Sequence, residues 1–217
     1  MRILAALLKP FFSLLYHQLA WSYDLVAALV SFGRWKTWVM TTLPYIQGQR
    51  VLELGHGPGH LQKRLLALGL QPAGLDESRQ MGAQARRRLR KSGFAKFGLV
   101  RGVAQRLPFP KGAFETIIAT FPAEYIFDPA TLTEAHRTLR PGGRFVLLPA
   151  AWITGRSPID RFLAWAFRIT GQVPGNPLEL FNQKAVEHFQ KAGFQLNVEQ
   201  VEVKSSLVLV MIASRID

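Results

Sequence analysis

The residues best suited to chemistry form a glycine-rich turn in the first third of the chain. A short apolar run, Val51–Leu54, leads into glycines at alternate positions, Gly55, Gly57 and Gly59. Glycine adopts positive φ angles and lets a ligand approach the backbone closely, which suits a strand-to-helix turn that binds a nucleotide. The dinucleotide fingerprint has glycine at its sixth position, where His60 stands, and the Gly-Lys-Ser/Thr of a P-loop is absent. The turn therefore predicts a nucleotide site that lacks the residues dedicated to binding a diphosphate.

An acidic residue follows this turn at a spacing that suits ribose binding. Asp76 lies 21 residues after Gly55, at the end of a second apolar run, Gln71–Leu75. In an open α/β sheet, an acid about 20 residues beyond the loop accepts hydrogen bonds from the ribose hydroxyls. Asp76 could also simply stand at the start of the next helix, where the helix dipole favours an acid. Together, the turn and the acid predict a nucleoside site.

These residues must be positioned by alternating strands and helices. Such alternation predicts a parallel sheet with helices on both faces, and two consecutive strands at the end predict an antiparallel hairpin at the sheet edge. The predicted strands are 50–54, 71–75, 96–101, 115–119, 144–148, 194–203 and 205–213. The predicted helices run up to about residue 42 and over 60–68, 77–92, 128–139, 158–170 and 182–192.

Composition excludes several classes of protein. The 217 residues include no cysteine, which excludes a disulfide scaffold, a thiolate zinc site and a cysteine nucleophile, and no spacing of a metal site is evident. Hydrophobic residues make up 48% of the chain, enough for a folded core. The net charge of +13 favours nucleic acid, anionic lipid or a negatively charged small molecule as a partner.

The positive charge is concentrated in one segment. Residues 60–111 contain twelve Lys or Arg and two acids, and the densest stretch is Arg86–Lys91. This pattern is typical of a solvated helix face, or of a basic patch that contacts a membrane or a polyanion. The basic residues are not interleaved with aromatics and no nucleic-acid signature is present, so lipid is favoured over nucleic acid.

The first twenty residues form a second basic segment. At 100° per residue, the apolar side chains of residues 1–20 fall on one arc, and Arg2 and Lys9 fall on the other. The pattern predicts a basic amphipathic helix, which either packs on the core or contacts a membrane surface. Lys9 and Pro10 interrupt the apolar run before it could span a bilayer, and no cleavage site of a signal peptide follows.

Four ordered motifs resemble those of class I S-adenosylmethionine-dependent methyltransferases, specifically the type 11 group. Glu53–Gly59 resembles the family's first motif and Gly74–Ser78 its second. Ala104–Phe109 and the strand that follows it resemble the family's segment on the adenine side of the cofactor. Leu139–Arg144 resembles the turn before strand five. Tyr23-Asp24 resembles a pair that precedes the core in many relatives.

The resemblance implies a fold and a domain organisation. The family has a Rossmann-like, doubly wound seven-stranded sheet that is mostly parallel, with an antiparallel last strand and N-terminal helices. We therefore expect a helical cap at residues 1–46, in contact with the membrane surface or the core, and a methyltransferase core at 47–217. A helical insertion is expected at about 150–178.

The resemblance also implies a cofactor, S-adenosylmethionine, with S-adenosylhomocysteine as the product. Asp76 would hold the ribose hydroxyls, and Glu53 would reach the amino group of the methionine part directly or through water. Many relatives carry an acid where Val103 stands, so Gln105 is predicted to accept the hydrogen bond from the adenine amino group instead. The complete set of predicted cofactor residues is Tyr23, Glu53, Gly55, His56, Gly57, Gly59, Asp76, Glu77, Ala104, Gln105 and Phe121.

Methyl transfer from a sulfonium is an in-line displacement, so catalysis depends mainly on positioning. A base is needed only if the acceptor must first lose a proton. The candidates are His56 in the turn, Glu124 and Tyr125 after the fourth predicted strand, and His136. Each of these side chains could instead be structural or simply exposed to solvent.

The acceptor is predicted from the apolar regions beside the site. The expected insertion contains Trp152, Phe162, Trp165 and Phe167, with Arg156, Arg161 and Arg168 among them. This favours a small lipophilic or membrane-associated acceptor, such as a lipid or a quinone precursor. The usual compartment of the cofactor and the missing cysteines predict a cytoplasmic protein, either free or peripheral at the inner face of the membrane. The alternatives are an RNA or protein methyltransferase and a non-catalytic cofactor-fold binding protein.

Overall fold

In a computed structural model, residues 33–154 and 183–216 are described. The strands are β1 (Arg50–Leu54), β2 (Gln71–Asp76), β3 (Gly98–Arg101), β4 (Phe114–Thr120), β5 (Leu139–Ile153), β6 (Phe194–Val203) and β7 (Ser206–Arg215). The helices among these residues are α1 (Trp35–Met40), α2 (His60–Ala67), α3 (Arg79–Lys91), α4 (Pro129–Thr138) and α5 (Gln183–Lys191).

The strands form one seven-stranded sheet in the order β3-β2-β1-β4-β5-β7-β6. Strands β1 to β5 pair in parallel, and β7 is antiparallel to both β5 and β6. The order reverses between β1 and β4, which places a crevice for ligands at the carboxyl ends of these strands. The predicted doubly wound sheet with an antiparallel last strand is confirmed.

Both faces of the sheet are buried, which is why its central strands are almost entirely apolar. Successive side chains of β1 point to opposite faces, so Leu52 and Leu54 pack in one cluster with Leu132 of α4. Val51 packs in the other cluster with Leu61 of α2. Helices α1 and α2 therefore cover one face, and α4 and α5 cover the other.

Helix α3 begins at a serine cap and packs through a narrow apolar stripe. The Ser78 hydroxyl accepts a hydrogen bond from the Met81 N–H at 3.3 Å, which satisfies a donor of the first turn. Met81, Ala85 and Leu89 are buried at intervals of four residues. The other side of this helix, where most residues are basic, is left facing solvent.

Strand β5 begins five residues earlier than predicted, because the Pro-Gly-Gly run forms a bulge within the strand and not a loop outside it. Leu139 pairs with Phe114, and Arg144 pairs with Thr116. Residues 140–143 therefore project from the ladder between two paired positions.

Strand β5 also continues past its predicted end at Leu148 and pairs with β7 as far as residue 153. The expected helical insertion is therefore wrong over residues 150–153, and Trp152 lies partly buried in the strand. The rest of that insertion, including the predicted helix at 158–170, lies outside the described residues.

The N-terminal cap is described only from residue 33 onward. Helix α1 and a 3-10 turn at Leu43–Tyr45 lie in this part, whereas the amphipathic segment at 1–20 and Tyr23 lie outside the described residues. None of the helices in the described ranges combines the length and apolar character that crossing a bilayer requires.

Candidate cofactor site

The glycine turn is held against the end of β2 by backbone hydrogen bonds. The N–H groups of Gly55 and His56 both donate to the Leu75 carbonyl, at 2.8 and 3.3 Å. The Gly57 N–H donates to the Asp76 carboxylate at 2.8 Å. These bonds fix the turn at the point where the strand order reverses.

A cavity of about 380 Å³ opens beside this turn, at the carboxyl ends of β1 to β4. Small-molecule sites have volumes of about 300–1,000 Å³. The wall contains eight of the predicted residues: Gly55, Gly57, Asp76, Glu77, Ala104, Gln105, Phe121 and Tyr125. The sequence analysis assigned no contact to the remaining eight, although most adjoin predicted residues along the chain. They are Leu75, Ser78, Met81, Gly102, Val103, Thr120, Pro122 and Ala123.

Two of the turn glycines serve different purposes. A Cβ on Gly55 would lie 2.9 Å from the Tyr125 hydroxyl oxygen, so a side chain there would crowd the cavity. A Cβ on Gly59 would lie 2.8 Å from the Ala85 Cβ, behind the turn, where α3 packs against the start of α2. Gly59 is absent from the cavity wall, and its visible role is this close helix packing. The guanidinium of Arg88 donates to the Pro58 carbonyl and ties α3 to the same turn.

Asp76 connects the turn to the following helix. One carboxylate oxygen accepts from the Gly57 N–H and the other from the Ser78 N–H, each at 2.8 Å. A carboxylate oxygen has two lone pairs, so each can accept one further hydrogen bond. The half-buried carboxylate on the cavity wall is therefore suited to two vicinal hydroxyl groups as well as to its structural bonds.

Gln105 presents an acceptor on the cavity wall. Its side-chain amide donates to the Asp128 carboxylate at 3.2 Å, and this fixes which way the amide faces, because a carboxylate only accepts. Its Oε1 accepts no hydrogen bond from the described residues. Val103 beside it is 45% exposed on the cavity rim. The geometry thus suits Gln105 to the amino group of an adenine ring.

Phe121 closes the wall after β4 with an unusual backbone. Its φ of 48° is uncommon for a residue with a side chain, and such angles cluster at functional sites. Its N–H donates to the Leu148 carbonyl at 2.7 Å. Its ring lies 6.3 Å from that of Trp35 and 6.1 Å from that of Trp38, so α1 covers this end of the cavity.

The candidate bases are distributed unevenly around the cavity. Tyr125 lies on its wall, whereas the exposed Glu124 does not. His136 packs against Phe194, at a ring separation of 5.5 Å, and is likewise absent from the wall. Of these three candidates, only Tyr125 is placed to touch a ligand.

His56 lies behind the turn and not in the cavity. The side chain is 4% exposed, and its Nδ1 lies 2.7 Å from the Gly57 carbonyl, to which it donates. Burial lowers the pKa of His56, although the nearby Asp76 charge acts in the opposite direction. A neutral, enclosed imidazole of this kind supports the turn and does not reach a substrate.

Glu53 is also enclosed, beneath the turn. It is 2% exposed, and its carboxyl accepts from the Gln62 amide of α2 at 2.8 Å. Burial, reinforced by the charge of Asp76, raises the pKa of Glu53 to about 8. Glu53 is not on the cavity wall, so the predicted contact with the cofactor amino group stays a prediction. Gln62 was missed by the sequence analysis because its spacing from Glu53 carries no motif.

Comparisons with known proteins agree with this geometry. Residues 51–143 match the family model of a methyltransferase domain. A demethylmenaquinone methyltransferase of Symbiobacterium thermophilum is 30% identical over 162 residues, 70% of this chain and 62% of that protein. A ubiquinone/menaquinone biosynthesis C-methyltransferase of Coxiella burnetii is 33% identical over 141 residues, 61% of this chain and 56% of that protein. The chain thus spans less than two thirds of the length of these relatives.

The fold is shared with solved structures. One is a geranyl diphosphate C-methyltransferase from Streptomyces coelicolor, solved with S-adenosyl-L-homocysteine. It matches with a TM-score of 0.55 over 78% of this chain and 73% of that chain, at 13% identity. Residues 51–143 are therefore similar to a methyltransferase domain, and the sheet has the Rossmann-like fold of class I S-adenosylmethionine-dependent methyltransferases. The cofactor of enzymes of that class is S-adenosylmethionine.

Proposed function

We propose that the protein transfers a methyl group from S-adenosylmethionine to a small lipophilic acceptor by direct in-line displacement. The observation that carries this proposal is the cavity at the carboxyl ends of β1 to β4. Its wall presents a glycine turn, a carboxylate and an amide acceptor, which are the kinds of group that an adenosyl-amino acid needs.

The proposed cofactor contacts follow from the groups on the wall. The Asp76 oxygens accept from the ribose hydroxyls, and Gln105 Oε1 accepts from the adenine amino group. The buried Ala104 flanks the adenine ring. The methionine part of the cofactor lies along the backbone of Gly55 and Gly57, where no side chain blocks its approach. Glu53 acts from beneath the turn, either through water or by supporting the turn.

Within this proposal, the chain's own residues orient the reactants. The cofactor supplies an electrophilic methyl group, so proximity, alignment and exclusion of water are what the protein contributes. Tyr125 places its hydroxyl over the turn near Gly55, where it can hold a hydroxyl of the acceptor by a hydrogen bond. His56 and Glu124 have no such position, and we assign them no direct part in the transfer.

The acceptor is proposed to be lipophilic for two reasons. The cavity wall at this end is built from Phe121, Pro122 and Ala123, and the tryptophans of α1 pack behind it. The relatives named above are a demethylmenaquinone methyltransferase and a ubiquinone/menaquinone biosynthesis C-methyltransferase. A quinone precursor, a lipid or another hydrophobic small molecule satisfies both observations.

The test of the cofactor site is calorimetric titration of S-adenosylmethionine and S-adenosylhomocysteine into the purified protein. We expect micromolar binding, reduced at least tenfold in Asp76→Ala because two charge-assisted hydrogen bonds are lost. Glu202→Ala, which removes an exposed carboxylate of β6, is the matched control and should bind normally. Full cofactor affinity in Asp76→Ala would overturn the assignment of the ribose site.

The acceptor class is tested separately, by methyl transfer from labelled S-adenosylmethionine in detergent solution. A reduced short-chain demethylmenaquinone represents the lipophilic class, and a single-stranded RNA and an unrelated protein represent the alternatives. We expect label in the quinone fraction only. Label in the RNA or the protein, with none in the quinone, would contradict the proposed acceptor class and leave the cofactor site intact.

A further inference from the structure

One continuous segment of the chain contains many basic residues and no acidic ones. The segment from Ser78 to Lys111 contains ten Lys or Arg and no Asp or Glu. In the fold this segment forms α3, the edge strand β3 and the loop that leads to β4. We define the basic surface as the exposed cations of this segment: Arg79, Arg87, Arg90, Lys91, Lys96, Arg101, Arg106 and Lys111.

The basic surface is concentrated along one face of α3. Arg79, Arg87 and Arg90 share one face of this helix with Ala83, and all four residues are exposed, opposite its buried stripe. Over thirteen residues, the helix is about 20 Å long, at 1.5 Å per residue. Within the described residues, none of the eight cations takes part in an ion pair. Their charge is therefore available to an external partner.

The same elements build the wall of the cofactor cavity. Ser78 and Met81, at the start of α3, line it from one side, and Gly102 and Val103, directly after β3, line it next to them. Val103 is an exposed apolar residue on the rim, with exposed arginines two residues before it and three residues after it. A partner bound to the basic surface would therefore lie beside the cavity opening.

We infer that the basic surface docks the protein on an anionic lipid bilayer, next to the opening through which a lipophilic acceptor enters. This inference rests on the proposed function, because an acceptor held in a bilayer must be reached from the membrane surface. Basic side chains at such a surface are attracted by anionic headgroups, and each contributes independently of sequence. The exposed Val103 at the rim is compatible with shallow contact with the interface.

Single-stranded nucleic acid is the competing partner for a surface of this charge. Proteins that bind it combine basic grooves with aromatic side chains on which the bases stack. The segment 78–111 has no Trp or Tyr, and its three phenylalanines, Phe94, Phe97 and Phe109, are each only partly exposed. The surface thus supplies charge without a stacking platform, which favours a bilayer.

The test is co-sedimentation of the full chain with vesicles of phosphatidylcholine alone and with about one third phosphatidylglycerol. The variant is Arg87→Gln/Arg90→Gln, on the exposed face of α3. The matched control is Lys191→Gln/Lys204→Gln, which removes the same charge from exposed positions at the other edge of the sheet. Titration with S-adenosylmethionine, without vesicles, verifies that each variant is folded and reports on the cofactor site independently.

We expect the wild type to bind the anionic vesicles and not the neutral ones, with binding that weakens as salt is added. The α3 variant should lose about 30-fold in partition coefficient, whereas the control should lose less than about threefold. Equal losses in both variants, or no loss in either, would overturn the basic surface as the docking site. Binding of a single-stranded RNA at a salt concentration where vesicles are not bound would overturn the choice of partner.

Discussion

The two edges of the sheet differ sharply in charge. Residues 60–111, which form α2, β2, α3 and β3, contain twelve Lys or Arg and two acids. The described residues 112–154 and 183–216, which form β4 to β7 with α4 and α5, contain seven basic and seven acidic residues. The edge that contains β3 is therefore strongly cationic, and the hairpin edge is neutral.

This difference shows that the positive charge is not spread evenly over the surface of the protein. A charge that served solubility alone could be distributed over both edges. Here it is located on α3 and β3, whose adjoining residues form one side of the cavity wall, while β5 to β7 contribute burial and strand pairing. We therefore expect substitutions in the two regions to separate into effects on ligand binding and effects on stability.

The largest expected effect is on cofactor affinity, and it distinguishes two glycines that have nearly the same φ. Gly55 has φ of 69° beside the cavity, and Gly142 has φ of 68° in the bulge of β5, with open space around its Cα. Alanine at either position should cost about 1–2 kcal/mol of stability through the unfavourable φ. Only Gly55→Ala should also weaken S-adenosylmethionine binding, about 10- to 100-fold, because its Cβ collides with the Tyr125 hydroxyl.

Calorimetric titration and urea unfolding of both variants measure this contrast. If Gly142→Ala weakened cofactor binding as much as Gly55→Ala, backbone strain and not crowding of the cavity would explain the loss.

The next effect concerns the buried carboxyl beneath the turn. Burial raises the pKa of Glu53 from its ordinary 4.5 to about 8 in the folded protein, so the folded state holds a proton that the unfolded state releases. The free energy of unfolding should therefore fall by a few kcal/mol as the pH rises from about 4.5 to about 8. Glu53→Gln cannot ionise and should remove this part of the pH dependence.

Urea unfolding near both ends of that pH range checks the Glu53 prediction. The control is Glu202→Gln, at an exposed position on β6, which should retain the slope of the wild type. An unchanged slope in Glu53→Gln would show that another group dominates.

A smaller effect is expected at the neutral edge, where Arg137 of α4 holds the loop before β4. Its guanidinium donates to the carbonyls of Leu107 and Phe109, at 3.0 and 2.8 Å, and pairs with Glu134. Arg137→Met should cost about 1–2 kcal/mol of stability, with the partial exposure of the side chain limiting the loss, and should leave cofactor affinity unchanged.

Lys191→Met serves as the comparison for Arg137→Met, because Lys191 pairs with Glu187 on an exposed helix face. It should lose less than about 0.5 kcal/mol in thermal unfolding. Equal losses in the two variants would mean that the carbonyl bonds of Arg137 add nothing.

The smallest expected effect is on cofactor affinity and concerns Val103 on the rim of the cavity. Many relatives of the type 11 group carry an acid at the position of Val103, where it accepts from the adenine amino group. Val103→Asp should therefore raise the affinity for S-adenosylmethionine about two- to fivefold. Val103→Leu is the apolar control and should change it little. A loss of affinity in Val103→Asp would indicate that Gln105 already occupies the only productive acceptor position.

Most of the core fold could be predicted because its signals are local. The run Val51–Leu54 and the turn after it predict β1 and the start of α2, and the strand is found with the predicted bounds. The antiparallel hairpin at the end of the chain was also predicted from two consecutive strand-like runs. Each prediction needed only the spacing of the apolar residues and the glycines and prolines that mark the ends of strands and helices.

The sequence was less informative where a residue's neighbours are distant along the chain. The Pro-Gly-Gly run reads as a loop, yet pairing with β4 on both sides makes it a bulge within β5. His56 reads as a residue of the cofactor turn, yet its ring is buried behind that turn. Gly59 reads as part of the same motif, although it serves the packing of α3 against α2.

The sequence by itself determined the methyltransferase-like class of the domain, its strand and helix order, the glycine turn and the acid at the end of β2, since these depend on local spacing. Only the tertiary structure decided which side chains reach the cavity. Tyr125 lies on its wall and Glu124 does not, although they are adjacent in the chain. The reason is physical: spacing fixes the order of residues at a strand end, whereas packing against distant elements decides which of them face a ligand.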